Sequence, residues 1–181
     1  LRQWPNAADA ITRELLRGVA MGINPRVVAR RAAVASQASL RQMLTVARTE
    51  QLRAYRESSR DLYKRSGVVE KYKRLCAKNA RTCVLCLAVD GKIYPVSEPM
   101  ELHVCCRCTS TPVIEGYNIE YGASGQEWFD AQPHTTQRQM LGPARYDLWR
   151  SGKNTLSDFV KIEYSHDWGK TLASKTLEEL S

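Results

Sequence analysis

The 181-residue sequence has no apolar run longer than the seven residues Cys83–Val89, far short of the ~18 that a membrane-spanning helix needs. No N-terminal stretch is laid out as a secretory signal. The chain opens on Leu1 rather than Met, as a fragment of something longer would. It has no internal repeat and no low-complexity tract. Histidine is scarce: His103, His134 and His166 are the whole supply. A hydrolytic centre needs a metal and a general base converging in one pocket, and so few candidates argue against one. No recognition-helix motif and no aromatic-rich platform for single strands is present, which argues against base readout.

What is present is unevenly spread. The net charge of +8 hides a partition. Residues 1–75 carry 16 Lys and Arg against 6 Asp and Glu, a net of +10, whereas residues 76–181 carry 11 against 13, a net of −2. A one-sided excess of cations points to an anionic partner, either nucleic acid or an acidic protein surface.

Cysteine is absent from residues 1–75 and 109–181; all six lie between Cys76 and Cys108. The spacing is Cys83-x-x-Cys86, then sixteen residues, then His103-x-x-Cys106-x-Cys108. Two ligand pairs separated by such a loop have the arithmetic of a structural zinc site. Each tight turn lets two donors grip one edge of a tetrahedron, and closing the loop turns metal affinity into folding free energy. Five candidates, Cys83, Cys86, His103, Cys106 and Cys108, compete for four positions. Cys83 and Cys86 form the firm pair, and His103 is either a ligand or a donor that orients a thiolate. Cys105 falls on the opposite face from Cys106, and Cys76 reads as a buried core thiol. The competing reading is a reduced core without metal, or a disulfide formed on oxidation.

Helix patterns run over 7–21 with Asn6 as cap, over about 26–34 after Asn24-Pro25, and over 39–66 up to Gly67. In the last of these, Leu40, Leu44, Ala47, Gln51, Tyr55 and Leu62 share one face, while Arg53, Arg56, Arg60 and Lys64 form a basic stripe. That stripe is either a binding surface or a solvated face. Residues 68–76 read as a strand. Asp90-Gly91 reads as a hairpin turn into Lys92-Ile93-Tyr94, and Arg107–Ile114 as a third strand. Ser124, Pro133 and Pro143 each open a short helix, whose aromatic residues suit a core. The prediction is an α+β chain: a basic helical arm over 1–66, a small antiparallel β unit over 67–115 stitched by the Cys/His metal site, a helical segment over 116–164, and a tail over 165–181 with a weak Leu172, Leu177, Leu180 pattern.

Ala47-Arg48-Thr49-Glu50, Tyr55, Asn79-Ala80-Arg81-Thr82-Cys83-x-x-Cys86, Asp90-Gly91 and His103-x-x-Cys106-Arg107-Cys108 occur in this order. Together with Leu141-Gly142-Pro143-x-Arg145-Tyr146-x-Leu148-Trp149-Arg150-Ser151-Gly152, they resemble the phage head morphogenesis family, minor head proteins similar to protein F of phage Mu. The resemblance covers roughly residues 25–160. It implies a minor capsid protein that associates with the portal at one vertex, inside the virion, after assembly in the host cytoplasm. Its expected partners are the portal protein, the major capsid or scaffolding protein, and packaged DNA through its phosphates; no membrane is expected. The expected cofactor is structural zinc, and no catalytic residue is implied. The family commonly places a Pro and a small polar residue between its His and its Cys-Arg-Cys, where this chain has Val104 and Cys105. Arg48 and Glu50, two apart on a helix, cannot face each other and are expected to make separate contacts. The alternative function is a zinc-stapled DNA-binding protein or nuclease.

Overall fold

Asn24-Pro25 and Gly67 punctuate the N-terminal third as the sequence predicts. A computed structural model, which describes residues 4–36, 39–117, 121–165 and 169–180, places helices α1 at Trp4–Ala20, α2 at Pro25–Ser36 and α3 at Leu40–Ser66. The Asn24 side chain accepts from Arg26 N at 2.9 Å, capping α2. Ser39 Oγ accepts from Gln42 N at 3.3 Å, capping α3. Gly67, at φ +71°, takes the left-handed conformation that stops α3. Asn6, the expected cap, falls inside α1, which begins at Trp4.

The chain divides into two compact units. The first comprises Leu1–Ser59 with Val104–Cys106. Its core is built from small and branched residues, Val28, Ala29, Ala32, Met43 and Ala47, with Ile11, Leu15 and Leu44 packed against them. Small side chains let the helices approach closely. A Cβ added to Gly18 would sit 2.5 Å from Val28 Cγ2 and 2.9 Å from Gln51 Nε2. Gln51 then spans to α2's approach by donating to Ile23 O at 3.0 Å.

The predicted apolar face of α3 is only partly the buried one. Ala47 is buried, but Tyr55 and Leu62 are each 60% exposed, and the buried positions of the helix are Met43, Ala47, Thr49 and Arg56. Counting apolar residues misses polar side chains whose hydrogen bonds are met by backbone. Here Thr49 Oγ1 donates to Thr45 O, and Arg56 to Cys106 O.

The second unit comprises Arg60–His103 with Arg107–Ser181. Strand β1 (Lys71–Leu75) lies between β2 (Ile93–Pro95) and β3 (Thr109–Val113) in an antiparallel sheet, with Tyr72 opposite Tyr94 on one side and Pro112 on the other. Pro112 is tolerated because β3 is an edge, where a missing N–H breaks no ladder. Tyr72 and Tyr94 stack with centroids 5.5 Å apart and pack with Met100. Asp90-Gly91 does turn the chain, with Gly91 at φ +81°. It leads from a short helix, α4 (Val84–Ala88), into β2 rather than joining two consecutive strands.

Helices α5 (Gly125–Asp130), α6 (His134–Leu141) and α7 (Pro143–Arg150) start and stop where their Ser, Pro and Gly residues predict. Ser124 and Glu127 form a reciprocal capping box at α5. Phe129 is fully buried and meets Trp149 edge-on at 5.2 Å. The region read as the end of a helical segment and a tail is instead a hairpin, β4 (Val160–Ser165) paired antiparallel with β5 (Gly169–Ser174). The signal was the alternation of β-branched and aromatic residues Val160, Ile162, Tyr164, a period of two rather than 3.6. Leu172 is buried, and its N–H donates to Leu102 O at 2.9 Å, so this segment is docked. His166 and Asp167 lie outside the described residues.

Candidate metal centre

The approach to the first knuckle is a turn closed by its own side chains. Asn79 Oδ1 accepts from Arg81 N at 2.9 Å, Asn79 N donates to Thr82 Oγ1 at 3.2 Å, and Thr82 N donates to Asn79 O at 2.8 Å. Asn is suited to this work because its short amide mimics a backbone turn. Arg107 donates to the Arg81 carbonyl, tying the turn to the Cys-Arg-Cys segment. Cys83 then takes an extended conformation as the cap of α4, and Cys86 falls inside that helix with its N–H on Cys83 O at 3.0 Å.

His103 completes this arrangement. Its Nε2 lies 3.1 Å from Cys83 Sγ and 3.0 Å from Cys86 Sγ. The three donors all lie within 4.8 Å of one another. Tetrahedral zinc–sulfur and zinc–nitrogen bonds span edges of about 3.5–3.8 Å, somewhat wider than these two separations, so the donors are close enough to share one ion, and they suit zinc in softness. Strand β3 begins only at Thr109, yet Cys106 and Cys108 are both buried while Arg107 between them is exposed, which is the alternation expected of an extended segment.

A hydrogen bond from Cys86, and then His103 beside it, lower the Cys83 thiol from 9.0 to about 4, against the opposing effect of burial. Burial pushes the Cys76 thiol up to about 12. Because an acidic group with a depressed native value stabilises when ionised, Cys83's contribution is full above the unfolded value of 9.0. It declines as pH falls and is gone below about 4. In the metal-free reduced protein at pH 6, iodoacetamide should therefore label Cys83 and leave Cys76 unlabelled until denaturant is added. Peptide mapping reads the result, and equal labelling of the two would refute the assignment.

Two residues that sequence reasoning assigned no role now have one. Thr49, in the helix motif, accepts Cys105 N–H at 3.0 Å and holds Cys105 in a left-handed conformation at φ +58°. Cys105 joins no close donor group among the described residues. Arg74 is fully buried on β1 and lies against the sulfurs of Cys86 and Cys108. The period of β1, with Tyr72, Arg74 and Cys76 on one side, was the available signal.

The basic stripe is put to mixed use. Arg56 is buried and donates to Cys106 O at 2.5 Å, and Arg60 donates to Val96 O and Ser97 O at 3.3 Å each. Arg53 is half-buried and Lys64 exposed. Arg48 is exposed, and neither it nor Glu50 makes an ion pair among the described residues. His134 is exposed beside Gln137 and Arg150 and joins no group of His, Cys, Asp or Glu among the described residues.

The family model described as Phage Mu protein F like protein matches residues 9–111. The chain belongs to that family. It is a phage head morphogenesis protein, and its setting is the assembly of a phage head with other head proteins. The match runs from within α1 through most of β3, takes in every Cys and His of the cluster, and stops short of the Leu141–Gly152 stretch. No curated protein and no solved structure matches the chain. Among the described residues no helix is long and apolar enough to cross a membrane.

Proposed function

We propose that this protein is a minor head component acting inside the capsid at the portal vertex, with the portal protein as its main partner, and that it supports head assembly and DNA packaging or delivery. Family membership across residues 9–111 carries this reading. In it, zinc is structural, held by Cys83, Cys86 and His103, with a thiolate of the Cys-Arg-Cys sequence in the fourth position. Three thiolates make a closed site, unlike the open position a catalytic zinc keeps. The chain is accordingly a non-enzymatic assembly protein.

Exposed apolar side chains of the first unit favour a protein partner over DNA. Leu16 is 65% exposed and Val34 83% exposed, within the part of the chain that carries the +10 charge. An acidic, partly apolar protein surface would use both features, whereas phosphates would use only the cations. Co-expression with the portal protein tests this. The wild-type chain should co-purify with it, and Leu16→Asp with Val34→Asp should lose it at least tenfold while keeping its metal. Failure of the wild-type chain to co-purify would sink the portal reading. Arg53→Glu with Lys64→Glu tests DNA separately, leaving Arg56 and Arg60 on their carbonyls. The zinc-stapled nuclease alternative predicts plasmid cleavage with added divalent metal that depends on His134 or His166.

A further inference from the structure

Arginine is the least expected residue at the centre of a small sheet, since an isolated charge away from water costs many kcal/mol unless it is paired. Arg74 is nevertheless 0% exposed, in the middle strand. Its Nη1 donates to Glu101 O at 2.5 Å, and its Nη2 lies 3.4 Å from Cys108 Sγ and 3.7 Å from Cys86 Sγ. The neighbouring Glu101 carboxylate is engaged elsewhere: it takes Tyr94 Oη at 2.6 Å and Lys92 Nζ at 3.0 Å. Burial works against its ionisation, but those two donors hold it below the ordinary carboxyl range.

Neutral thiols are weak acceptors, whereas thiolates are anions, and hydrogen bonds to charged partners are about twice as strong. A divalent metal held by three thiolates and one neutral histidine carries a net charge of −1. A guanidinium, which stays protonated, brings the buried assembly to zero.

We propose that Arg74 is the charge-balancing residue of the metal centre, its guanidinium set against the Cys86 and Cys108 sulfurs to offset the surplus negative charge of the thiolate ligands and so raise zinc affinity. This inference rests on the metal reading above. It goes beyond it by assigning a positioning residue that is not a ligand.

The test is zinc competition against a chromophoric chelator, using the full reduced chain as wild type, Arg74→Gln and Arg74→Lys. Arg74→Gln should bind zinc 10–100-fold more weakly, as outer-layer changes at metal sites typically do. Arg74→Lys, which keeps the charge and loses the fork, should recover to within tenfold of wild type. Cobalt substitution should give the same thiolate-to-metal band in the wild type and Arg74→Lys. Equal affinity of Arg74→Gln and wild type would overturn the proposal. If Arg74→Gln does not fold, Arg74→Lys decides alone: a loss of 10-fold or more despite the retained charge would equally overturn it. A wild-type chain that binds no zinc fails the metal reading instead, and that result needs no variant to be seen.

Discussion

A chelator strong enough to take zinc from the reduced protein should lower its melting temperature by more than about 10 °C. Structural zinc contributes about 10–16 kcal/mol in peptides that fold only around the metal. The second unit here has a sheet and a buried aromatic core of its own, so only part of that need be lost. A loss of about 4 kcal/mol already corresponds to about 10 °C for a chain of this size. Cys86→Ser should reproduce the effect, because its buried sulfur lies 3.0 Å from His103 Nε2 in the donor group. Cys105→Ser should not, because Cys105 joins no close donor group among the described residues and its amide is held by Thr49. The measurements are metal content of the reduced protein and thermal unfolding with and without chelator. A reduced protein that contains no zinc, or that melts at the same temperature after chelation, contradicts the metal centre.

Gly125→Ala is expected to cost about 3 kcal/mol, the upper end of what overpacking does. The added Cβ would lie 2.2 Å from Leu87 O and 2.8 Å from Asp90 Cβ, and the first of these is backbone that cannot rotate away. Something must shift, and what Gly125 presses on is α4, the helix capped by Cys83 and containing Cys86. The same substitution should therefore speed zinc release as well as lower the urea midpoint, with an unchanged denaturant slope. A cost below about 0.5 kcal/mol, within the range of an ordinary surface change, would show that α5 does not brace the knuckle.

The punctuation of the chain was legible because it rests on strong local preferences. Asn24-Pro25, Ser39, Gly67, Ser124 and Gly142 mark helix ends that the structure reproduces within a residue or two. The Cys-x-x-Cys and His-x-x-Cys pairs were legible because ligand spacing is itself short-range. Less legible were features in which a polar residue is satisfied by distant backbone. Arg56 looked like a member of a surface stripe, and nothing local says that its guanidinium ends on the Cys106 carbonyl. Arg74 looked like one cation in the run Lys71–Arg74, and only the strand's period marks it as inward. The hairpin at β4 and β5 was missed for another reason. Ile162 and Tyr164 alternate as strand residues do but are exposed, so the pattern carries no buried face to distinguish it.

Strand β2 is only three residues long and lies wholly between Cys86 and His103. Joining those two donors through one ion would close the sixteen intervening residues into a loop around it. A cross-link over a loop of about that length removes about 3 kcal/mol of freedom from the unfolded chain. The edge of the sheet would thus be kept in register largely by a constraint on the disordered state, and less by the few hydrogen bonds that β2 makes. Lengthening the 96–101 loop with flexible residues should weaken the sheet only slowly, since closure entropy grows with the logarithm of loop length.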